Sequence, residues 1–247
     1  MKSRLIITIY SDCSIIYSFK INTMNVFKKS IFWLLLFVGS YSCFAQEISI
    51  RGGLNLSQFH HKFGDMVVHK EGTKLLPGFN VGPILEMPIK NIFSFETGIL
   101  FTSKGHKLAG DILGVQDYLF VDNLFYLEIP ALLKVLIPIQ KAKVFVLTGG
   151  YVGSALYGNI TAEGVENTGF KRLKNKIQWG NEPNEYDRFD YGLKFGIGTK
   201  LKRYQIGAIY SIGLKDFSNV ESIEQRNRVV EFYIQYLLNK KLKKSNN

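Results

Sequence analysis

A two-residue alternation of apolar with polar or small residues constrains this chain more than any other feature. It is clearest over residues 190–199, where Tyr191, Leu193, Phe195 and Ile197 alternate with aspartate, glycine and lysine. A period of two gives a β-strand one apolar and one polar face. The pattern recurs about eight times between residues 46 and 238. The sequence therefore predicts an all-β domain of about eight strands.

The lengths of the predicted connections alternate between long and short. The long connections cover 60–75, 104–120, 158–186 and 215–225, and the short ones cover 88–91, 138–142 and 201–203. Transmembrane barrels have short periplasmic turns at one end and longer extracellular loops at the other. We therefore expect an eight-stranded antiparallel transmembrane up-and-down β-barrel.

The polar face of the predicted strands carries nearly all of their charges. These residues are Arg51, Glu86, Glu96, Glu128, Lys134, Lys194 and Glu231. A lysine or arginine facing lipid at the bilayer midplane costs about 2–4 kcal/mol. The charges are therefore predicted to form a salt-bridge network inside the barrel, with the apolar face turned to lipid.

Glycines share this polar face, where small residues suit a narrow interior. The predicted inward glycines are Gly53, Gly82, Gly98, Gly150, Gly192, Gly196, Gly198, Gly207 and Gly213. An interior of eight strands is just wide enough for side chains to fill, so a wide diffusion pore is not expected.

Two regions fit the alternation less well. In the fifth predicted strand, over residues 143–157, Phe145, Leu147 and Tyr151 are assigned to the apolar face. Pro83 and Pro130 interrupt the second and fourth strands, and each removes a hydrogen-bond donor from the sheet. We expect bulges or strand ends at these prolines.

The first 45 residues are predicted to be targeting sequence. Residues 24–45 contain a basic start, an apolar run and small residues, which is the layout of a secretory signal peptide with cleavage after Ala45. Residues 1–23 precede this complete signal peptide and are interpreted as a spurious upstream extension, with translation starting at Met24; the alternative is a real extension translated from Met1. The barrel is assigned to 46–238 and a basic tail to 239–247.

The net charge of +11 overstates how basic the exported domain would be, because the predicted leader and the tail hold many of the lysines. Nucleic-acid binding would require a basic stripe with interleaved aromatic residues on a folded face, and none is recognisable. No cofactor motif is found either. Both cysteines, Cys13 and Cys43, precede residue 46, so a cysteine nucleophile is not expected.

Catalytic and metal-binding patterns are weak. The four histidines, His60, His61, His69 and His106, all fall in predicted long loops, and adjacent loop histidines are usually just polar residues. The acids around residue 187 lack the spacing of a calcium loop. No serine on a predicted strand has a histidine partner, so we predict a protein that is not an enzyme.

Several segments resemble the PorT-like outer-membrane barrel proteins of Bacteroidota. Residues 126–134 (YLEIPALLK) are similar to a strand of that family, and residues 50–57, 189–198 and 226–228 agree in order and spacing. The resemblance implies an eight-stranded outer-membrane barrel. It does not imply a defined activity, although the founding member of the family is linked to a protein-secretion system rather than to catalysis.

The function predicted from these features is contact through the extracellular loops or within an envelope or secretion assembly, in outer-membrane lipid. The candidate contacts in the longest predicted loop are Lys171, Arg172, Lys174 and Trp179. The alternative is a soluble periplasmic or secreted barrel that binds an apolar ligand, in the manner of lipocalins.

Overall fold

The computed structural model describes residues 46–63, 66–67, 73–112, 115–139, 142–166, 169–180, 185–217 and 223–239. The predicted extension, the signal peptide and nearly all of the basic tail lie outside these ranges, so those assignments stay predictions. Within the described ranges, no helix is long and apolar enough to cross a membrane.

Eight antiparallel strands form one closed sheet. They are β1 (Glu47–Phe63), β2 (Leu76–Lys90), β3 (Phe93–Gly98 continued by Leu100–Ile112), β4 (Val115–Ile139), β5 (Ala142–Glu166), β6 (Phe189–Leu201), β7 (Tyr204–Gly213) and β8 (Ile223–Leu237). Each strand pairs with its neighbour in the chain, and β8 pairs with β1, which closes the ring. The predicted eight-stranded barrel is confirmed.

Tight turns lie at the end of the barrel where β1 begins and β8 ends. Asn91 and Lys202 adopt positive φ angles of 46° and 52° in the β2–β3 and β6–β7 connections. Left-handed residues of this kind let a short turn match the twist of its flanking strands. This end corresponds to the predicted short-turn side, and the strands extend furthest at the other end.

The two faces of the barrel have opposite chemistry. Large apolar side chains on the outside are exposed, including all four of the residues that first revealed the alternation: Tyr191, Leu193, Phe195 and Ile197. The inside holds buried polar and charged side chains. A lipocalin-like barrel needs the reverse, an apolar lining around a ligand cavity, so the polar interior argues against that alternative.

The predicted orientation of the fifth strand is wrong. Phe145, Leu147 and Tyr151 point into the barrel and are buried, while Val146 and Val152 face outward. Gly150 therefore lies on the outer side, not the inner side. Both faces of β5 carry apolar residues here, so hydrophobicity alone did not distinguish inside from outside.

Glycines of β6 explain why β5 can place large residues inside. A Cβ atom at Gly198 would lie 2.4 Å from the Phe145 ring, and one at Gly192 would lie 2.8 Å from the Tyr151 ring. At Gly196 it would approach Leu147 to 2.9 Å. The missing side chains of β6 thus leave the volume that the side chains of β5 occupy.

The two prolines cause no register shift in the sheet. Pro83 lies opposite Ile99 and accepts one hydrogen bond from its amide at 3.1 Å, while the pairing of β1 with β2 continues unbroken through Pro83. Pro130 continues the β4–β5 pairing opposite Tyr151. Because the prolines lack amide donors, the strand β3 is instead interrupted for one residue, at Ile99. The expected bulges occur elsewhere, for example between Phe125 and Tyr126.

Two predicted long loops are largely strand. β3 continues to Ile112 and β4 starts at Val115, so most of 104–120 is paired. β5 runs to Glu166 and pairs with an additional strand, Gly169–Lys176. Beyond the lipid, water bathes both faces of a sheet, so the alternation that reveals strands is lost even though pairing continues.

Candidate functional site: the barrel interior and its mouth

The first charged layer lies inside the half of the barrel nearer the tight turns. Arg51 from β1 contacts Glu96 from β3 at 2.5 Å, and Lys134 from β4 contacts both Glu96 and Glu86, the latter at 2.9 Å. The series of ion pairs continues to Lys200, which lies 3.6 Å from the Glu86 carboxylate. Charges of opposite sign therefore alternate through this layer.

The second charged layer lies nearer the long-strand end. Lys104 contacts Asp190 at 3.2 Å and Glu128 at 2.6 Å. Lys194 contacts the same Glu128 at 2.7 Å and also contacts Glu231. Two lysines thus connect three carboxylates, and the five residues come from four different strands.

Burial makes this pairing necessary. The side chains of Lys134 and Glu96 are 0% exposed, and those of Lys104, Lys194 and Glu128 are 1% exposed. An unpaired ion in such a place costs several kcal/mol, which good geometry and additional hydrogen bonds can offset. Every charged group in the two layers contacts at least one group of opposite sign.

Neutral side chains add further hydrogen bonds to the charged groups of both layers. Gln205 accepts from Lys134 and donates to Glu86, both at 3.0 Å. In the second layer, Tyr151 and Asn227 donate to Asp190 at 3.2 and 3.0 Å. Ser211 donates to Glu231 at 2.6 Å. These bonds fill the polar interior and fix the charged groups in place.

All seven residues of the predicted network lie in these two layers. The structure places four in the first layer and three in the second: Arg51, Glu86, Glu96 and Lys134, then Glu128, Lys194 and Glu231. The prediction omitted Lys104 and Asp190. The sequence pattern predicts a loop from residue 104, although counting in steps of two from Glu96 along β3 places Lys104 inside the barrel.

A hydrophobic cluster closes the mouth of the barrel at the long-strand end, above the second layer. Its buried members are Phe59, Leu124, Tyr126, Ala155, Ile177 and Phe217, with Trp179 and Tyr186 packed against them. Backbone hydrogen bonds hold the covering segment, from Ile177 to Gly158 at 3.0 Å and from Asp187 to Phe217 at 3.0 Å. The barrel is therefore filled by polar layers and covered by aromatic side chains.

The structure describes the side chains of two of the four histidines, His60 and His106. His106 lies in β3, not in a loop, and its ring stacks on Phe59 with the ring centres 5.3 Å apart. His69 and the side chain of His61 lie outside the described residues. Within the described part of the chain, no group of three or more His, Cys, Asp or Glu residues is placed to hold a metal ion.

The four candidate contact residues occupy different surroundings. Arg172 and Lys174 are exposed on the strand Gly169–Lys176, and Arg172 forms a salt bridge with Glu163 at 2.8 Å. Lys171 is on the same strand, but its side chain is outside what the structure describes. Trp179 instead packs into the mouth cluster, with the Arg188 guanidinium 5.3 Å from its ring.

An ion pair at the rim links two of the connections at the mouth. Asp187 accepts from the Phe189 amide at 2.9 Å and contacts Lys215 at 3.0 Å. Partial burial would raise the pKa of Asp187, but these two contacts together hold it below its usual value. The hydrogen bond to Asp187 raises the pKa of Lys215. The pair therefore favours the charged forms of both groups.

A closed antiparallel barrel with an apolar outside and a filled polar inside belongs to the class of outer-membrane β-barrels. The comparison with protein families agrees: this chain belongs to the outer membrane protein beta-barrel domain family, whose profile matches residues 44–219. A comparison with curated proteins finds no match.

Solved structures of similar proteins include two bacterial surface proteins. Ail, the attachment invasion locus protein of Yersinia pestis, is 15% identical, with a TM-score of 0.34. The match covers 78% of this chain and 99% of the Ail chain. That structure contains the heparin analogue sucrose octasulfate. Neisserial surface protein A is 10% identical with a TM-score of 0.36, and covers 76% of this chain and 96% of its own.

Proposed function

We propose that this outer-membrane barrel is a non-enzymatic protein of PorT-like type that acts through its extracellular surface, as a contact protein or as a component of an envelope or secretion assembly. The observation that carries the proposal is the filled interior. Residues of both charged layers are buried, and the mouth cluster covers them. A barrel of this kind offers its outer surfaces, rather than a lumen, for function.

The buried acids also support a role without catalysis. Glu128 contacts two lysines and Glu96 contacts a lysine and an arginine, all of them inside the barrel. A general acid or base must reach a substrate proton within hydrogen-bond distance. These carboxylates instead form ion pairs, in positions that a substrate does not reach.

The extracellular surface that we propose for contact is the sheet formed by the outer parts of β4 and β5 and the strand Gly169–Lys176. It stands beyond the aromatic side chains of the lipid face and carries Arg172 and Lys174. Lys171 and Trp179 complete the proposed contact set. Export through the signal peptide at 24–45, with cleavage after Ala45 and translation from Met24, belongs to the same proposal.

A liposome assay tests the filled interior. The refolded protein should admit small sugars no faster than protein-free liposomes, because side chains fill the barrel. Entry at the rate of a general diffusion porin would refute the proposal. A second test cross-links the intact envelope and compares the wild type with the variant R172Q/K174Q. Loss of a specific cross-linked species in the variant is expected, and an unchanged pattern would contradict the contact role.

A further inference from the structure

The outward face of the barrel shows where its apolar band ends on the extracellular side. Phe79, Phe101, Phe125 and Tyr157 form a continuous patch there, with the Phe125 and Tyr157 rings stacked at 4.3 Å. Aromatic residues of this kind form girdles at the membrane–water interface of outer-membrane barrels. Tyr157 therefore marks the level at which β5 leaves the hydrocarbon.

The length of β5 agrees with this boundary. Outward side chains from Val146 to Tyr157 span about 11 residue steps of roughly 3.3 Å, tilted by about 40° to the barrel axis. The corresponding rise is about 28 Å, close to the height of about 25 Å expected of an apolar band. The next outward residues on β5 therefore enter the lipid headgroup layer.

Two lysines lie on the same outward face directly beyond Tyr157. Lys176 pairs with Asn159 and Lys174 pairs with Thr161, and directly opposite residues in a sheet share a face. Each step of two residues rises about 5 Å, so these lysines lie roughly 5 and 10 Å above Tyr157. The headgroup layer is about 5–8 Å thick. Lysine side chains are long enough to reach into it.

Among the residues that the structure describes, Lys174 and Lys176 have no oppositely charged partner. Both lysines are exposed, and no carboxylate among the described residues forms a salt bridge with either of them. The neighbouring Arg172 differs, because Glu163 already neutralises it. The two lysines are therefore free to bind an anion supplied from the membrane.

We propose that Lys174 and Lys176 form a binding site for the phosphate groups of outer-leaflet lipids. The apolar outer face of β5 would contact the acyl chains while the two ammonium groups bind the phosphates above. This inference rests on the membrane placement of the barrel and not on the proposed protein contact. It can therefore hold even if that contact fails.

Lipid binding to the refolded full barrel in uncharged detergent micelles tests the site. The probes are diphosphorylated lipid A, the same lipid without its phosphates, and inorganic phosphate. The wild type should prefer the diphosphorylated lipid. Because each lysine near an anionic surface contributes about 1 kcal/mol, K174Q/K176Q should weaken its binding roughly 30-fold. K174R/K176R should retain the affinity, and added salt should lower it.

The matched control is K90Q/K143Q, which removes two exposed lysines from the tight-turn end. Its affinity should stay within about twofold of the wild type, since those positions are not part of the site. Heat-dependent gel mobility establishes that all variants are folded. Equal binding by K174Q/K176Q and the wild type would overturn the proposal. An equal loss in the control, or inorganic phosphate bound as tightly as the lipid, would overturn it as well.

Discussion

The second charged layer predicts a specific pattern of stability changes when Lys104 is replaced by methionine. Glu128 keeps its contact with Lys194 at 2.7 Å, but Asp190 loses the lysine that contacts it. Removing one partner of a buried ion pair costs about 3–5 kcal/mol, because a charge is left uncompensated. We expect Lys104→Met to lower the free energy of unfolding by that amount.

The double variant K104M/D190N separates charge from packing. It removes the uncompensated carboxylate but leaves the same methionine in place, so it should recover at least about 2 kcal/mol of the loss. Lys134→Met should lower the free energy of unfolding by less than Lys104→Met does. Glu96 would still contact Arg51 at 2.5 Å, and Glu86 would still contact Lys200 at 3.6 Å.

Urea unfolding of the refolded barrel in micelles, followed by gel mobility without boiling, measures these differences. Lys174→Met is the surface control, and its stability should stay within about 0.5 kcal/mol of the wild type. If Lys104→Met is as stable as this control, the layer does not stabilise the fold as described. If the double variant is no more stable than the single one, the loss is one of packing and not of charge.

Three further predictions concern the lipid face, the glycines and the rim. Leu193→Arg should cost about 2–4 kcal/mol and block assembly, whereas an unchanged yield of heat-modifiable protein would contradict the lipid-facing assignment. Gly192→Ala, whose Cβ would lie 2.1 Å from a backbone oxygen, should lose about 1–3 kcal/mol in urea unfolding; Gly52→Ala, with open space around it, should be near neutral. The low pKa of Asp187 means that its pair with Lys215 stabilises the rim at neutral pH, and that this stabilisation is lost as the pH falls below about 4. Hydrogen exchange at the mouth should show that loss in the wild type but not in Asp187→Asn.

The sequence was sufficient to predict the barrel because lipid and a crowded interior impose opposite demands on alternate residues. β6 illustrates this, since every outward residue from Tyr191 to Ile197 is large and apolar and the inward ones are small or charged. β5 lacks that contrast. Its inward Phe145 and Leu147 depend on glycines of the next strand, which is information that a single strand does not contain.

The same contrast between lipid-facing and inward residues explains why part of the charged interior could be predicted. Inward charges within the lipid-spanning part of the strands were recognisable because any other placement would be costly. Lys104 lies near the end of that part, where a charged residue fits an aqueous loop equally well. The partners of each charge could not be predicted, since Lys104 and Asp190 are 86 residues apart and meet only when the barrel closes.

The order of charges along the two layers has a consequence for how the strands find their alignment during assembly. Sliding one strand by two residues past its neighbour keeps every side chain on its proper face, so hydrophobicity does not penalise that error. It would, however, move Lys194 away from Glu128 and Glu231, and Lys134 away from Glu86 and Glu96. Misaligned barrels would then enclose unmatched ions. The alternating charges can thus discriminate between closures that lipid alone cannot distinguish.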